Sequence, residues 1–277
     1  MLDHIYDCDH PDETVRGLFY EAISLMERGP PGRARSLLQD ASDRGCPEAM
    51  VMLGNILMEG EPSERMQALD MFKRAAALGN DSGMRNVGYS YALGLGCDKD
   101  KAMAVEWYRK AAEAGNARAQ CNLGVMYEFG NGVAQSYEDA AEWYRRSAES
   151  GYSRGRTNMG VLLMMGLGAE RDPKEAARWF ALSGSPRASY NLAKLHLEGR
   201  GVPQNMERAK ELLASSSEAG YAKAMFLLAK LIEANDEAGS LELYRKAAAK
   251  GNEDALAELS EESMSLPDQI GRDKGGK

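Results

Sequence analysis

The chain has 277 residues, enough to bury a substantial core, and carries 34 Lys and Arg against 42 Asp and Glu. Its formal net charge of -8 excludes the basic footprint of a general nucleic-acid or membrane-surface binder, and reads instead as an acidic, soluble chain.

In chain order, Glu13 to Glu27 and Arg33 to Ser42 predict an irregular helix pair within residues 1–44, suited to shield one end of a helical stack from water. From there the sequence repeats. An Ala-rich helix end followed by glycine recurs at Gly45, Gly79, Gly115, Gly151, Gly184, Gly220 and Gly251, bounding six repeats at about 45–78, 79–114, 115–150, 151–183, 184–219 and 220–250. Counted from each glycine, position +8 is always apolar (Leu53, Val87, Leu123, Met159, Leu192, Leu228, Leu259). Position +9 is always small (Gly54, Gly88, Gly124, Gly160, Ala193, Ala229, Ser260).

Apolar and small residues at +4, +5, +8, +9 and +12 follow one helical face and predict a helix A in each repeat. A Gly-x-Gly loop follows in four repeats (Gly94/Gly96, Gly130/Gly132, Gly166/Gly168, Gly199/Gly201). Asp100, Ser136, Asp172, Asn205 and Asp236 then stand where a second helix, B, needs an N-cap, and Pro173 suits the first helical position. Helix B carries the aromatic pairs Trp107/Tyr108, Trp143/Tyr144 and Trp179/Phe180, expected to fill the space between layers with Trp143 in the core, and ends at the next glycine as a left-handed cap. The fourth repeat is short: only five positions separate Trp179 from Gly184, and Pro186 follows. Residues 251–264 predict a charged capping helix and 265–277 a disordered tail.

The pattern A-x-x-N-L-G-x-x-Y-x-x-G-x-G-V, cleanest from Ala119 to Val133, followed by A-x-x-W-Y and an Ala-rich end from Ala140 to Gly151, resembles the Sel-one-like repeat family, a relative of the tetratricopeptide repeats. The resemblance covers about Gly45 to Gly251. It implies an all-α, right-handed α-solenoid of tandem antiparallel helix pairs, with helix A residues lining a concave face. Family members act as scaffolds or adaptors, so the implied partner is a protein or peptide.

At about 100° per residue, helix A positions +3, +7, +10 and +14 cluster opposite the core positions. Position +7 holds Asn86, Asn122, Asn158 and Asn191, whose amides offer the donor and acceptor an extended peptide backbone requires. Position +3 holds Arg118, Arg154, Arg187 and Lys223, while +10 and +14 add Tyr89, Val125, Val161, Phe129 and Met165. The expectation is a groove in which asparagines hold a peptide, an apolar patch takes its side chains and a basic edge favours an acidic segment. The competing reading is that these asparagines bond neighbouring helices.

Chemistry is sparse. Gly151-Tyr152-Ser153-Arg154-Gly155 matches a G-x-S-x-G, but a nucleophile elbow needs a strand before it, and these glycines occupy repeat registers. Of three histidines, His196 takes the +12 core register, and His4, Cys8 and His10 are a weak metal cluster, so no metal or other cofactor is expected. Cys8, Cys46, Cys97 and Cys121 form no CxxC pair and no regular spacing, which predicts free thiols. Some cysteine-rich secreted members of the family have been linked to weak β-lactamase action, but S-x-x-K and K-T-G do not occur here. The sixteen methionines, among them Met50, Met84, Met126 and Met159, read as gap-filling core. Met1 to Glu13 lacks the flank and apolar stretch of a secretory signal, and no apolar run spans a bilayer, so the expectation is a cytoplasmic, monomeric, non-enzymatic scaffold with no membrane insertion. A hydrolase and a structural spacer are the alternatives.

Overall fold

The computed structural model describes residues 8–28 and 31–265. Among them every regular element is an α-helix. A pair, α1 (Glu13–Arg28) and α2 (Pro31–Asp43), precedes the repeats. The repeats supply A and B helices in turn: α3 (Pro47–Met58) and α4 (Pro62–Ala77), α5 (Asp81–Leu93) and α6 (Lys101–Glu113), α7 (Ala117–Phe129) and α8 (Tyr137–Glu149). Then come α9 (Ser153–Met165) and α10 (Pro173–Ser183), α11 (Pro186–Glu198) and α12 (Met206–Glu218), α13 (Ala222–Ile232) and α14 (Glu237–Ala249), with α15 (Glu253–Ser265) last. Of the expected disordered tail only Ser265 is described, as the end of α15; the rest of that tail, and His4, lie outside the described residues.

The chain divides into two compact units. One holds the residues up to Gly155 with Leu167–Ala169, the other Arg156–Gly166 with the residues from Glu170 on. In the first, each helix from α1 to α8 packs on the next, and α3 also touches α5; in the second, α10 to α15 pack in the same serial way.

Local chemistry explains the punctuation. Each repeat-bounding glycine has positive φ, between 62° and 94°, so it ends helix B in the left-handed region. The next residue starts helix A: Asn80 and Asn116 accept hydrogen bonds from the Gly83 and Ala119 amides, each at 2.8 Å. Asp100, Ser136, Asp172, Asn205 and Asp236 cap the B helices as the sequence implies. The short fourth repeat is explained at its end, where α10 has 11 residues against 13 for α6, α8 and α12, and Gly184 caps it two residues earlier. Ser185 and Pro186 then start α11 at once.

Packing explains position +9. A Cβ on Gly54, Gly88, Gly124 or Gly160 would fall 2.5, 2.7, 2.7 or 2.6 Å from a ring carbon of Phe72, Tyr108, Tyr144 or Phe180 respectively. The aromatic ring of helix B therefore packs directly against the backbone of helix A at this position. In the fifth repeat both partners change together, with Ala193 and Leu213 in one buried cluster. The second glycine of each loop is needed for a closer approach: a Cβ on Gly132 would lie 2.3 Å from the Lys101 carbonyl, where the loop meets the preceding B helix.

Two expectations are corrected here. In the aromatic pairs the second residue is the buried one: Tyr108, Tyr144 and Phe180 are 3%, 0% and 2% exposed, whereas Trp107, Trp143 and Trp179 are only half-buried. Adjacent helical residues point about 100° apart, so one ring can face helix A and its neighbour must lie at the margin. The margin suits the indoles, which take cations over their faces, Lys110 at 4.4 Å from Trp107 and Arg146 at 4.8 Å from Trp143. His196 is half-buried rather than in the core, with Nδ1 3.1 Å from the Pro203 carbonyl.

Candidate functional site

In the first unit, helix A faces of successive repeats line one open cleft of about 440 Å³. Val51 and Asn55 come from α3, Ser82 and Arg85 from α5, Arg118 from α7, and Tyr152 from the turn before α9. Side chains near one angle of each helix recur repeat after repeat, so each additional repeat extends the same surface. Arg118 and Arg154 are exposed, and Tyr89 and Phe129 on α5 and α7 are 45% and 64% exposed, large apolar area left uncovered along those helices. Val125 is half-buried.

The asparagines behave differently from the residues around them. Asn86 is 5% exposed and its Nδ2 donates to Asn55 Oδ1 at 3.0 Å, from one A helix to the previous one. Asn122 is half-buried. The cleft is lined by the starts of the A helices, including Asp81, Asn116 and Ala117, and by registers +3 and +6, with Asn55 at +10, and no residue of register +7 lines it. Asn55 and Arg85 were missed by the sequence reading because the first repeat departs from the asparagine pattern and because +6 lies one residue from the assigned stripe.

The second unit holds the remaining predicted residues. Asn158 is 9% exposed and accepts from Arg187 Nη1 at 3.3 Å, again bonding one A helix to the next. Asn191 and Val161 are half-buried, and Arg187 and Lys223 exposed. Val161, Met164, Met165, Phe180 and Asn191 line an apolar hollow of about 160 Å³, together with Lys194 and the ion pair of Glu198 and Arg200, 2.7 Å apart.

The buried phenols carry no site chemistry. Burial pushes the Tyr108 hydroxyl up, and for Tyr144 burial acts together with its hydrogen bond to the Glu128 carboxylate. Ser153 of the G-x-S-x-G is the first residue of α9, after helix α8 and a turn, and a Cβ on Gly155 would lie 2.4 Å from Ser147 Oγ, so this glycine serves helix packing. The four cysteines are free thiols. Among the described residues no helix is long and apolar enough to cross a membrane.

Comparison with known proteins places these observations. The Sel1 repeat model matches residues 47–80, 81–116, 117–152, 153–185, 186–221 and 222–252. A protective antigen present in uropathogenic Escherichia coli strains, displaying an SLR fold, is similar at 28% identity and TM-score 0.73, over 91% of this chain and 57% of that one. This chain thus spans little more than half the length of that relative. A Sel1 repeat protein from Oxalobacter formigenes is similar at 31% identity and TM-score 0.71, over 76% of this chain and 86% of that one. An immunity protein from Pseudomonas aeruginosa, at 21% identity and TM-score 0.52 over 78% of this chain and 84% of that one, shares the fold alone. No curated protein matches.

Proposed function

Since this chain belongs to the Sel1 repeat family, whose members are generally protein interaction scaffolds, we propose that it holds an acidic peptide segment of a partner protein against its helix A surface. The observation that supports this most is the first unit's cleft, which Arg85, Arg118 and Asn55 line, with Asp81 the one carboxylate among its lining residues. Guanidinium groups pair with carboxylates through two parallel hydrogen bonds, and an amide matches a peptide backbone. The exposed rings of Tyr89 and Phe129 supply apolar contact along the same helices. Asn122 and Arg154 extend the surface in this unit. In the second unit Asn191, Arg187 and Lys223, with Val161 and Met165, offer the same combination of amide, base and apolar surface.

A second reading has its own observation. The bonds Asn86–Asn55 and Asn158–Arg187 join A helices of neighbouring repeats, so these amides also hold the stack together. The two readings differ in what substitution does. Selection of a displayed random-peptide library on the full chain should enrich Asp and Glu, and the enrichment should vanish on the folded Arg85→Glu/Arg118→Glu variant. A neutral or basic consensus, or one that the variant retains, refutes the acidic partner. Asn86→Ala should lower the melting temperature if its bond is structural.

A further inference from the structure

Outside the cleft, one cluster of side chains has no part in peptide binding. Cys8, in the segment before α1, and Cys46, the N-cap of α3, bring their sulfurs to 3.3 Å, and both are buried, at 4% and 0% exposure. Glu48, in the first turn of α3, places Oε2 3.4 Å from Cys46 Sγ. The three ligating atoms all lie within 4.8 Å of one another.

We propose that Cys8, Cys46 and Glu48 bind a borderline-soft dication of the Zn2+ class, which clamps the N-terminal segment to the first repeat.

The two close separations lie near those of a metal site. Around a tetrahedral Zn2+ with Zn–S about 2.3 Å and Zn–O about 2.0 Å, sulfur stands about 3.8 Å from sulfur and about 3.5 Å from oxygen. The two close separations, 3.3 and 3.4 Å, need about 0.5 and 0.1 Å of adjustment, and the third, between Cys8 and Glu48, lies within 4.8 Å. A disulfide at about 2.05 Å would require the buried sulfurs to close by about 1.3 Å. The surroundings also suit a metal. The Ala49 amide donates to Cys46 Sγ at 3.4 Å, and Asn80 Nδ2 donates to Glu48 Oε1 at 3.2 Å, so two of the three ligands are oriented by outer partners. Two thiolates and a carboxylate around a dication leave one net negative charge, which the N-terminus of α3 favours. Glu48 borders an open cavity of about 570 Å³, which gives an ion its entry path. His10 lines that cavity but is no ligand here: its Nδ1 accepts the Asp12 amide at 3.2 Å, which leaves the proton on Nε2.

The test uses the full chain, reduced, stripped with chelator and titrated anaerobically with Co2+ and then Zn2+. One equivalent of Co2+ should raise a sulfur-to-cobalt charge-transfer band that Zn2+ abolishes, and in the Zn2+-loaded native protein Cys8 and Cys46 should resist alkylation. Cys8→Ser, which lies outside the repeats, and Cys46→Ser should each abolish the band, while Cys97→Ser keeps it; circular dichroism confirms the fold of each. Glu48→Gln, which loses a ligand outright, should weaken cobalt binding by more than the roughly tenfold that loss of an orienting partner costs. The proposal is overturned by absence of the band, by a band that survives in folded Cys8→Ser, or by recovery of Cys8 and Cys46 as a disulfide with no metal bound.

Discussion

Replacing Gly124 by alanine adds one methyl group where the Tyr144 ring already lies. The new Cβ would stand 2.7 Å from both Cδ1 and Cε1 of a ring that is 0% exposed, while ordinary carbon contacts begin near 3.5 Å. The ring has little freedom to retreat, because its hydroxyl is bonded to Glu128. Overpacking of this kind costs about 1–3 kcal/mol, against a gain of about 1 kcal/mol from exchanging glycine for alanine within a helix. The clash should offset the gain or exceed it, leaving a net loss of about 0–2 kcal/mol. The other repeats set the comparison: Ala193 in the fifth shares its cluster with Leu213, while Ala229 in the sixth packs with the buried Tyr244, so an alanine is tolerated beside a ring only where the helices stand differently. Gly124→Ala should therefore be destabilising in the parent and favourable in Tyr144→Leu, where it fills the space the ring vacates. Urea unfolding of the two single variants, the double variant and the parent, followed by circular dichroism, gives the coupling directly. A stabilised Gly124→Ala, or a coupling under about 0.5 kcal/mol, would refute the claim that these positions are matched in size.

Four further outcomes rest on the same packing and charges. Tyr144→Ala should cost about 3–5 kcal/mol in urea unfolding, and Trp143→Ala clearly less, because the indole is only half-buried. Gly132→Ala should cost more than Gly130→Ala: both have positive φ, but the carbon added at Gly132 would stand 2.3 Å from the Lys101 backbone, while at Gly130 the nearest atom is the Gln135 Cβ at 3.3 Å. Raised phenol pKa values at Tyr108 and Tyr144 mean that the folded chain keeps protons the unfolded chain loses. The resulting stability is fully present below the ordinary tyrosine value near 10 and falls as pH rises above it, a decline that Tyr144→Phe should make shallower in urea unfolding across that range. Asn86→Ala should lower stability by about 0.5–1.5 kcal/mol in urea unfolding, the net value of its bond to Asn55.

Much of the fold was legible because the repeat states each rule several times. Gly79 and Gly115 were read as left-handed ends of helix B and act so, while the capping of the next helix by Asn80 and Asn116 is added by the structure. The aromatic pairs were legible as a layer, but not which ring is buried, since Trp143 and Tyr144 are adjacent and the turn of the helix alone selects between them. The asparagine stripe was legible as a pattern; its depth was not. A one-register difference, about 100°, separates a side chain that lines the cleft, such as Arg85, from a buried one that does not, such as Asn86. The pairing of Cys8 with Cys46 was invisible because it joins the segment before α1 to the start of α3, and nothing periodic links those positions.

Affinity for a selected acidic peptide, measured by fluorescence anisotropy at low and at high salt, puts the proposed role of the cleft to the test. The parent chain should bind it more weakly as salt rises, because the arginines and carboxylates are partly exposed to screening. The folded Arg85→Glu/Arg118→Glu variant should bind at least about tenfold more weakly at low salt, with little remaining salt dependence. Equal affinity in parent and variant, with melting temperatures also equal, would contradict acidic-peptide recognition by this surface.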